Sequence, residues 1–115
     1  MVALGGAGGA LARWGTARAL GGAGWDAAWS TAAINVTGAF ALGVAAQLLV
    51  GRPSLTLLLA TGFLGAFTTF STFALDAVGL LRAQGVGIAA LYVGASVGLA
   101  VLAFALGALL AGARA

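Results

Sequence analysis

The chain has 115 residues, 63% of them hydrophobic and only 6% charged, with a net charge of +3 and a mean hydropathy of +1.16. A soluble domain carries about 25% charged residues, so a surface this apolar belongs in lipid, and the chain reads as an integral membrane protein. It has no cysteine and no histidine, which excludes disulfides, thiolate metal centres and an imidazole base; two carboxylates are all that remains for acid–base work, so neither an enzyme nor a nucleic-acid binder is expected.

The charges fall at Arg13, Arg18, Asp26, Arg52, Asp76, Arg82 and Arg114, and leave charge-free runs of 25, 23 and 31 residues after Asp26, Arg52 and Arg82. Each exceeds the roughly 20 residues a helix needs to cross the hydrocarbon core. In chain order, a first short helix is expected over residues 2–20, glycine-rich and interrupted by Arg13. Its apolar run precedes its arginines, the reverse of a signal peptide, so it reads as a membrane helix. A second helix is expected over 28–50, entered through "WDAAWS", whose Trp25 and Trp29 suit the aromatic belt at the membrane interface. "GRP" at 51–53 ends it and starts a third helix over 54–82. After "RAQGVG" a fourth runs over 86–112. Short loops make consecutive helices antiparallel, and small residues at helix-packing spacing, Gly5 with Gly9 and Ala90 with Gly94 and Gly98, point to close helix contacts. The fold class expected is all-α: a single four-helix transmembrane domain over residues 1–115.

Four short helices enclose little interior, so an oligomer, most simply a homodimer, is expected. Arg13, Arg18 and Arg82 fall on one side of the membrane, and the N-terminal amine, Arg52 and Arg114 on the other. Orientation follows the excess of lysine and arginine. With the excess nearly nil, the expectation is dual topology with antiparallel pairing; a single orientation is the alternative.

Polar residues at membrane depth concentrate in "GAFTTFSTF", residues 65–73, where Thr68, Thr69, Ser71 and Thr72 fall within five positions. Threonines and aromatics are weak helix formers, and Gly62 and Gly65 lie just upstream. One reading is a break in the third helix near mid-membrane, whose freed carbonyls could meet a cation on a dimer axis. The other is an intact helix whose hydroxyls bond back one turn. Phe70 and Phe73 share a helix face and read either as packing or as positive ring edges offered to an anion. Asn35, the only asparagine, reads as an anion donor or as a helix–helix link; Tyr92 and Ser96, one turn apart on the fourth helix, could add hydroxyl donors.

"GAFTTFSTF", "INVTGAFALG" and the opening "GGAGGALARW" together resemble the Fluc (CrcB) fluoride channels over essentially the whole chain. The resemblance implies an antiparallel dual-topology homodimer in the cell membrane, with two fluoride pores and a structural sodium ion at its centre. It implies pore roles for Asn35, Phe70, Ser71, Thr72, Phe73, Tyr92 and Ser96. It implies main-chain carbonyl ligation of sodium at Gly65 and Thr68, and a vestibule role for Arg13 and Asp76. One departure is visible: Ser96 is followed a turn later by Ala100, where relatives usually continue a line of hydroxyls. The absence of charge between Arg52 and Asp76 suits a pore that must release as well as bind fluoride. Two other functions stand beside the channel: a proton-coupled small exporter, which needs a membrane-embedded carboxylate, and a non-transporting assembly subunit.

Overall fold

The computed structural model describes residues 1–113 as six helices and a π-helical stretch. They are α1 (Val2–Gly22), α2 (Ala27–Leu48), α3 (Pro53–Leu55), the π-helix Thr56–Leu64, α4 (Gly65–Phe67), α5 (Ser71–Gln84) and α6 (Val86–Gly112). Arg114, expected on the Arg52 side, lies outside the described residues. The ends of the second and third spans are set by local chemistry. Gly51 takes φ +76°, a left-handed conformation that L side chains resist, and Pro53 opens the next helix at its first turn. Gly85, at φ +89°, makes the single-residue joint between α5 and α6.

Three stretches are long and apolar enough to cross a membrane: Ala27–Leu48, Pro53–Gln84 and Val86–Gly112. The chain is therefore a multi-pass membrane protein. The first helix has 21 residues, a length of about 31 Å at 1.5 Å per residue, but its arginines and glycines lower its apolarity. Packing against a neighbour carries it instead.

The most extensive contacts join alternate helices rather than consecutive ones: α1 with the 53–67 half of the third span, and α2 with α6. Within each pair the chains run parallel, as the order of contacts shows. Gly5 faces Leu58 and Gly9 faces Phe63. Trp29 meets Tyr92 near one end of the other pair, and Gly43 meets Phe104 further along.

Glycine makes both crossings possible. A Cβ at Gly43 would lie 2.1 Å from the Phe104 carbonyl oxygen, and one at Gly107 would lie 2.3 Å from that of Phe40. Close backbone approach of this kind replaces the hydrophobic driving force that helices lack in lipid. The Gly5 and Gly9 pairing is realised in the same way. Ala90, Gly94 and Gly98 are not used within the protomer: all three are exposed, and a Cβ at Gly94 or Gly98 would meet nothing within 4 Å.

The third span is broken. Helical geometry stops at Thr68, which is extended at φ −78°, ψ 157°, and resumes at Ser71. The break lets one span serve two partners, with its upstream half on α1 and its downstream half on α6 and α2. A nine-residue π-helix before the break is a feature for which the sequence reading had no expectation.

Candidate functional site

The helix is broken, not intact, yet the back-bonding expected of an intact helix survives at one residue. The Thr68 hydroxyl donates back to the Leu64 carbonyl at 3.1 Å, and the Thr68 amide donates to the same oxygen at 3.1 Å. Such back-bonding bends helices, and here the chain leaves the helix altogether. Gly38 on α2 admits the turn, since a Cβ there would sit 2.4 Å from the Thr68 methyl carbon.

Asn35 on α2 braces the opening. Its Nδ2 donates to the Thr69 carbonyl at 2.8 Å, and its Oδ1 accepts from the Thr69 amide at 2.7 Å. One side chain thus satisfies the donor and the acceptor of a residue that has lost its helical partners. An unsatisfied buried backbone group costs about 1–3 kcal/mol, and lipid offers no substitute partner. An amide carries two N–H groups, so the second one of Asn35 remains for another acceptor.

The same diversion frees two carbonyls. In a continuous helix the Thr69 amide would close on the Gly65 carbonyl, and the Thr72 amide on that of Thr68. Here the Thr69 amide goes to Asn35, and the Thr72 amide donates to the Thr69 hydroxyl oxygen at 3.3 Å. Gly65 is exposed, with its nearest would-be Cβ contact at 3.8 Å.

Beside the break lies a cavity of about 350 Å³. Asn35, Thr68, Thr69, Phe70, Phe73 and Ser96 give it its polar and aromatic wall, and Ala39, Leu42, Val97, Ala100 and Val101 the aliphatic one. Among the described residues, no ionisable side chain lines it. Phe70 is 79% exposed in the protomer, whereas Phe73 is 8% exposed, with ring centroids 5.5 Å apart. Behind Phe73, Tyr92 stacks at 5.4 Å, and Trp29 meets Tyr92 edge-on at 5.5 Å and 86°. The hydroxyls of Tyr92 and Ser96 are buried without a hydrogen-bond partner, as is that of Ser30.

The structure thus places Asn35, Phe70, Phe73 and Ser96 around one cavity, with the freed carbonyls of Gly65 and Thr68 nearby. Ser71 and Thr72 are exposed and do not line it. Tyr92 is fully buried one layer behind. Ala100 stands on the wall where a further hydroxyl would extend the line from Ser96. Arg13 is half-buried on α1 and Asp76 half-buried on α5, and these two helices do not pack against each other.

Three residues have roles that no local pattern announces. Thr69 belongs to the polar cluster, but its pairing with Asn35 spans 34 positions. The Thr31 hydroxyl lies 2.7 Å from Asp76 Oδ2 and 3.0 Å from the Ala27 carbonyl. With one proton to give, it donates to the nearer acceptor, Asp76 Oδ2. Thr31 precedes Asn35 by one helical turn, and that i, i+4 spacing was the available signal. Trp29, the second of the two tryptophans, packs on the buried cluster of Ala28, Phe73, Leu80, Ala89 and Tyr92, while Trp25 stays half-exposed. The sequence motif of two tryptophans does not distinguish a ring facing lipid from one turned inward.

Comparison with known proteins agrees with this architecture. The family described as "CrcB-like protein, Camphor Resistance (CrcB)" matches residues 1–108. The chain is 45% identical over 108 residues to the fluoride-specific ion channel FluC of Rhizobium etli, covering 90% of this chain and 86% of the relative. It is 46% identical over 112 residues to the FluC of Rhizobium leguminosarum bv. trifolii, with the same coverages of 90% and 86%. The FluC of Acidobacterium capsulatum is 43% identical over 115 residues, covering 92% of this chain and 89% of that protein. With a family match over nearly its whole length and relatives that it spans almost completely, this broken-helix membrane protein belongs to the CrcB family.

Proposed function

We propose that the chain is a passive, fluoride-selective channel that lets cytoplasmic fluoride leave the cell, working as an antiparallel homodimer with two pores. The observation that carries this reading is the uncharged cavity at the break, walled by Asn35, Phe70, Phe73 and Ser96. Relatives spanned almost end to end are named fluoride-specific channels. Fluoride is small and strongly hydrated, so a pore must replace its water without holding it too tightly. The second N–H of Asn35 and the unpartnered Ser96 hydroxyl are neutral donors available for this. The positive edges of the Phe70 and Phe73 rings add attraction without a formal charge.

A second copy fits the features that one protomer leaves open. Phe70 is exposed beside an open cavity, and the small-residue face at Ala90, Gly94 and Gly98 is bare. The near-even spread of arginines on the two sides of the membrane supports opposite orientations. The freed carbonyls of Gly65 and Thr68 are hard oxygen donors of the kind an alkali ion takes, and they would hold sodium at the dimer centre. Sodium held there would supply a fixed positive charge and satisfy carbonyls that lipid cannot.

Fluoride efflux from proteoliposomes, with chloride as the control, tests the proposal. Phe70→Ile and Phe73→Ile are expected to slow fluoride efflux while the oligomer persists; unchanged flux in both variants sinks the assignment. Transport driven by a proton gradient and lost in Asp76→Asn would mark a coupled exporter instead, and no flux at all a non-transporting subunit.

A further inference from the structure

We infer that Gly5 and Gly9 are positioning residues for the site: they hold Thr56–Leu64 in its π register, and that register sets the height and rotation at which the chain enters the break. The two glycines are four apart, one turn of an α-helix. The backbone groups they face are five apart. A Cβ at Gly5 would lie 1.9 Å from the Leu58 oxygen and 2.9 Å from the Phe63 nitrogen; one at Gly9 would lie 2.0 Å from the Phe63 oxygen.

In a π-helix, where each amide bonds five residues back, positions five apart stack as positions four apart do in an α-helix. Leu58 and Phe63 therefore sit at the α spacing of Gly5 and Gly9 only while the stretch between them is wound as a π-helix; α winding would bring residue 62 there instead. Leu58 oxygen and Phe63 nitrogen are also the acceptor and donor of one π hydrogen bond, so a side chain at position 5 would intrude on that bond itself. Gly62 completes the contact from the other side, 2.8 Å from its would-be Cβ to the Val2 oxygen.

The consequence reaches the site because only Gly65–Phe67 separates the π stretch from Thr68. Return of nine residues to α winding would turn that short segment about the helix axis. The Gly65 carbonyl and the Thr69 backbone would turn with it, away from Asn35. A methyl on α1 thereby acts on the Asn35–Thr69 pair without touching it.

Amide hydrogen exchange of the full-length protein in detergent reads this directly, since protection reports local opening. Gly5→Ala and Gly9→Ala are each expected to speed exchange of the Thr69 amide by about tenfold or more, leaving the α2 and α6 amides around Gly43 and Gly107 unchanged. Gly6→Ala, whose would-be Cβ lies 4.0 Å from its nearest neighbour, is expected to change neither. Folded Gly5→Ala and Gly9→Ala proteins with wild-type protection at Thr69 overturn the inference.

If neither alanine variant folds, exchange of the wild type under rising denaturant decides. Thr69 should open together with the amides of 60–64, and co-opening with α2 and α6 instead refutes the coupling. Fluoride efflux should fall in parallel with Thr69 protection, and that readout alone rests on the channel proposal. A wild type without efflux defeats the channel reading and leaves the exchange comparison to judge the register.

Discussion

The two halves of the broken third span are held by different physics. Residues 56–67 meet α1 backbone to backbone, through glycines whose missing side chains admit carbonyls at would-be Cβ distances near 2 Å. Residues 71–84 meet α6 and α2 through side chains: Phe73 on Tyr92, and Thr31 on Asp76. Between them, Asn35 supplies the two hydrogen bonds that a continuous helix would have made for itself. The upstream half is thus fixed in register but tolerant of side-chain identity on its other faces. The downstream half depends on particular rings and hydroxyls. A break inside a membrane is tolerable only where each freed group has a partner, and the contrast between the halves shows how that is arranged here.

The largest expected effect tests the downstream half. Phe73→Ala removes a buried ring and should destabilise the protein by about 3–5 kcal/mol in reversible unfolding from mixed micelles. Phe70→Ala, at an exposed ring, should stay within about 0.5 kcal/mol for the isolated protomer while slowing fluoride efflux. Equal destabilisation by the two would erase the distinction between a packing ring and a pore ring. Next comes the joint itself. Asn35→Ala strands the Thr69 amide and carbonyl and should cost about 2–3 kcal/mol, with loss of exchange protection at Thr69 as its local signature. The smallest loss expected at a buried contact sharpens the link between α2 and α5. Thr31→Val removes the donor to Asp76 and should cost about 1–3 kcal/mol, which Thr31→Ser, keeping the hydroxyl, should largely restore.

The helices themselves were legible in the sequence, because uninterrupted apolar runs between charges leave few other structures for a chain in lipid. The spans expected over 28–50 and 86–112 differ from α2 and α6 by at most two residues at an end. The break was legible as one of two readings, since hydroxyls and glycines cluster at 62–72. Which reading held was a matter of partners: Asn35 lies 34 positions from Thr69, and no local pattern joins them. The π-helix was illegible for a related reason. In "TLLLATGFL" Thr61 and Gly62 weaken α winding without specifying π winding, and the matching glycines lie on another helix.

Composition alone placed this chain in a membrane, because 6% charged residues cannot clothe a water-soluble surface. Motif order along the chain pointed to its family. Tertiary structure alone decided that alternate helices pair in parallel, that Trp29 packs on the buried cluster, and that Phe70 and Phe73 line the cavity while Ser71 and Thr72 do not. Those outcomes depend on which backbones can approach within touching distance. That depends on where two glycine-bearing faces meet, a property of helix pairs and not of any single stretch.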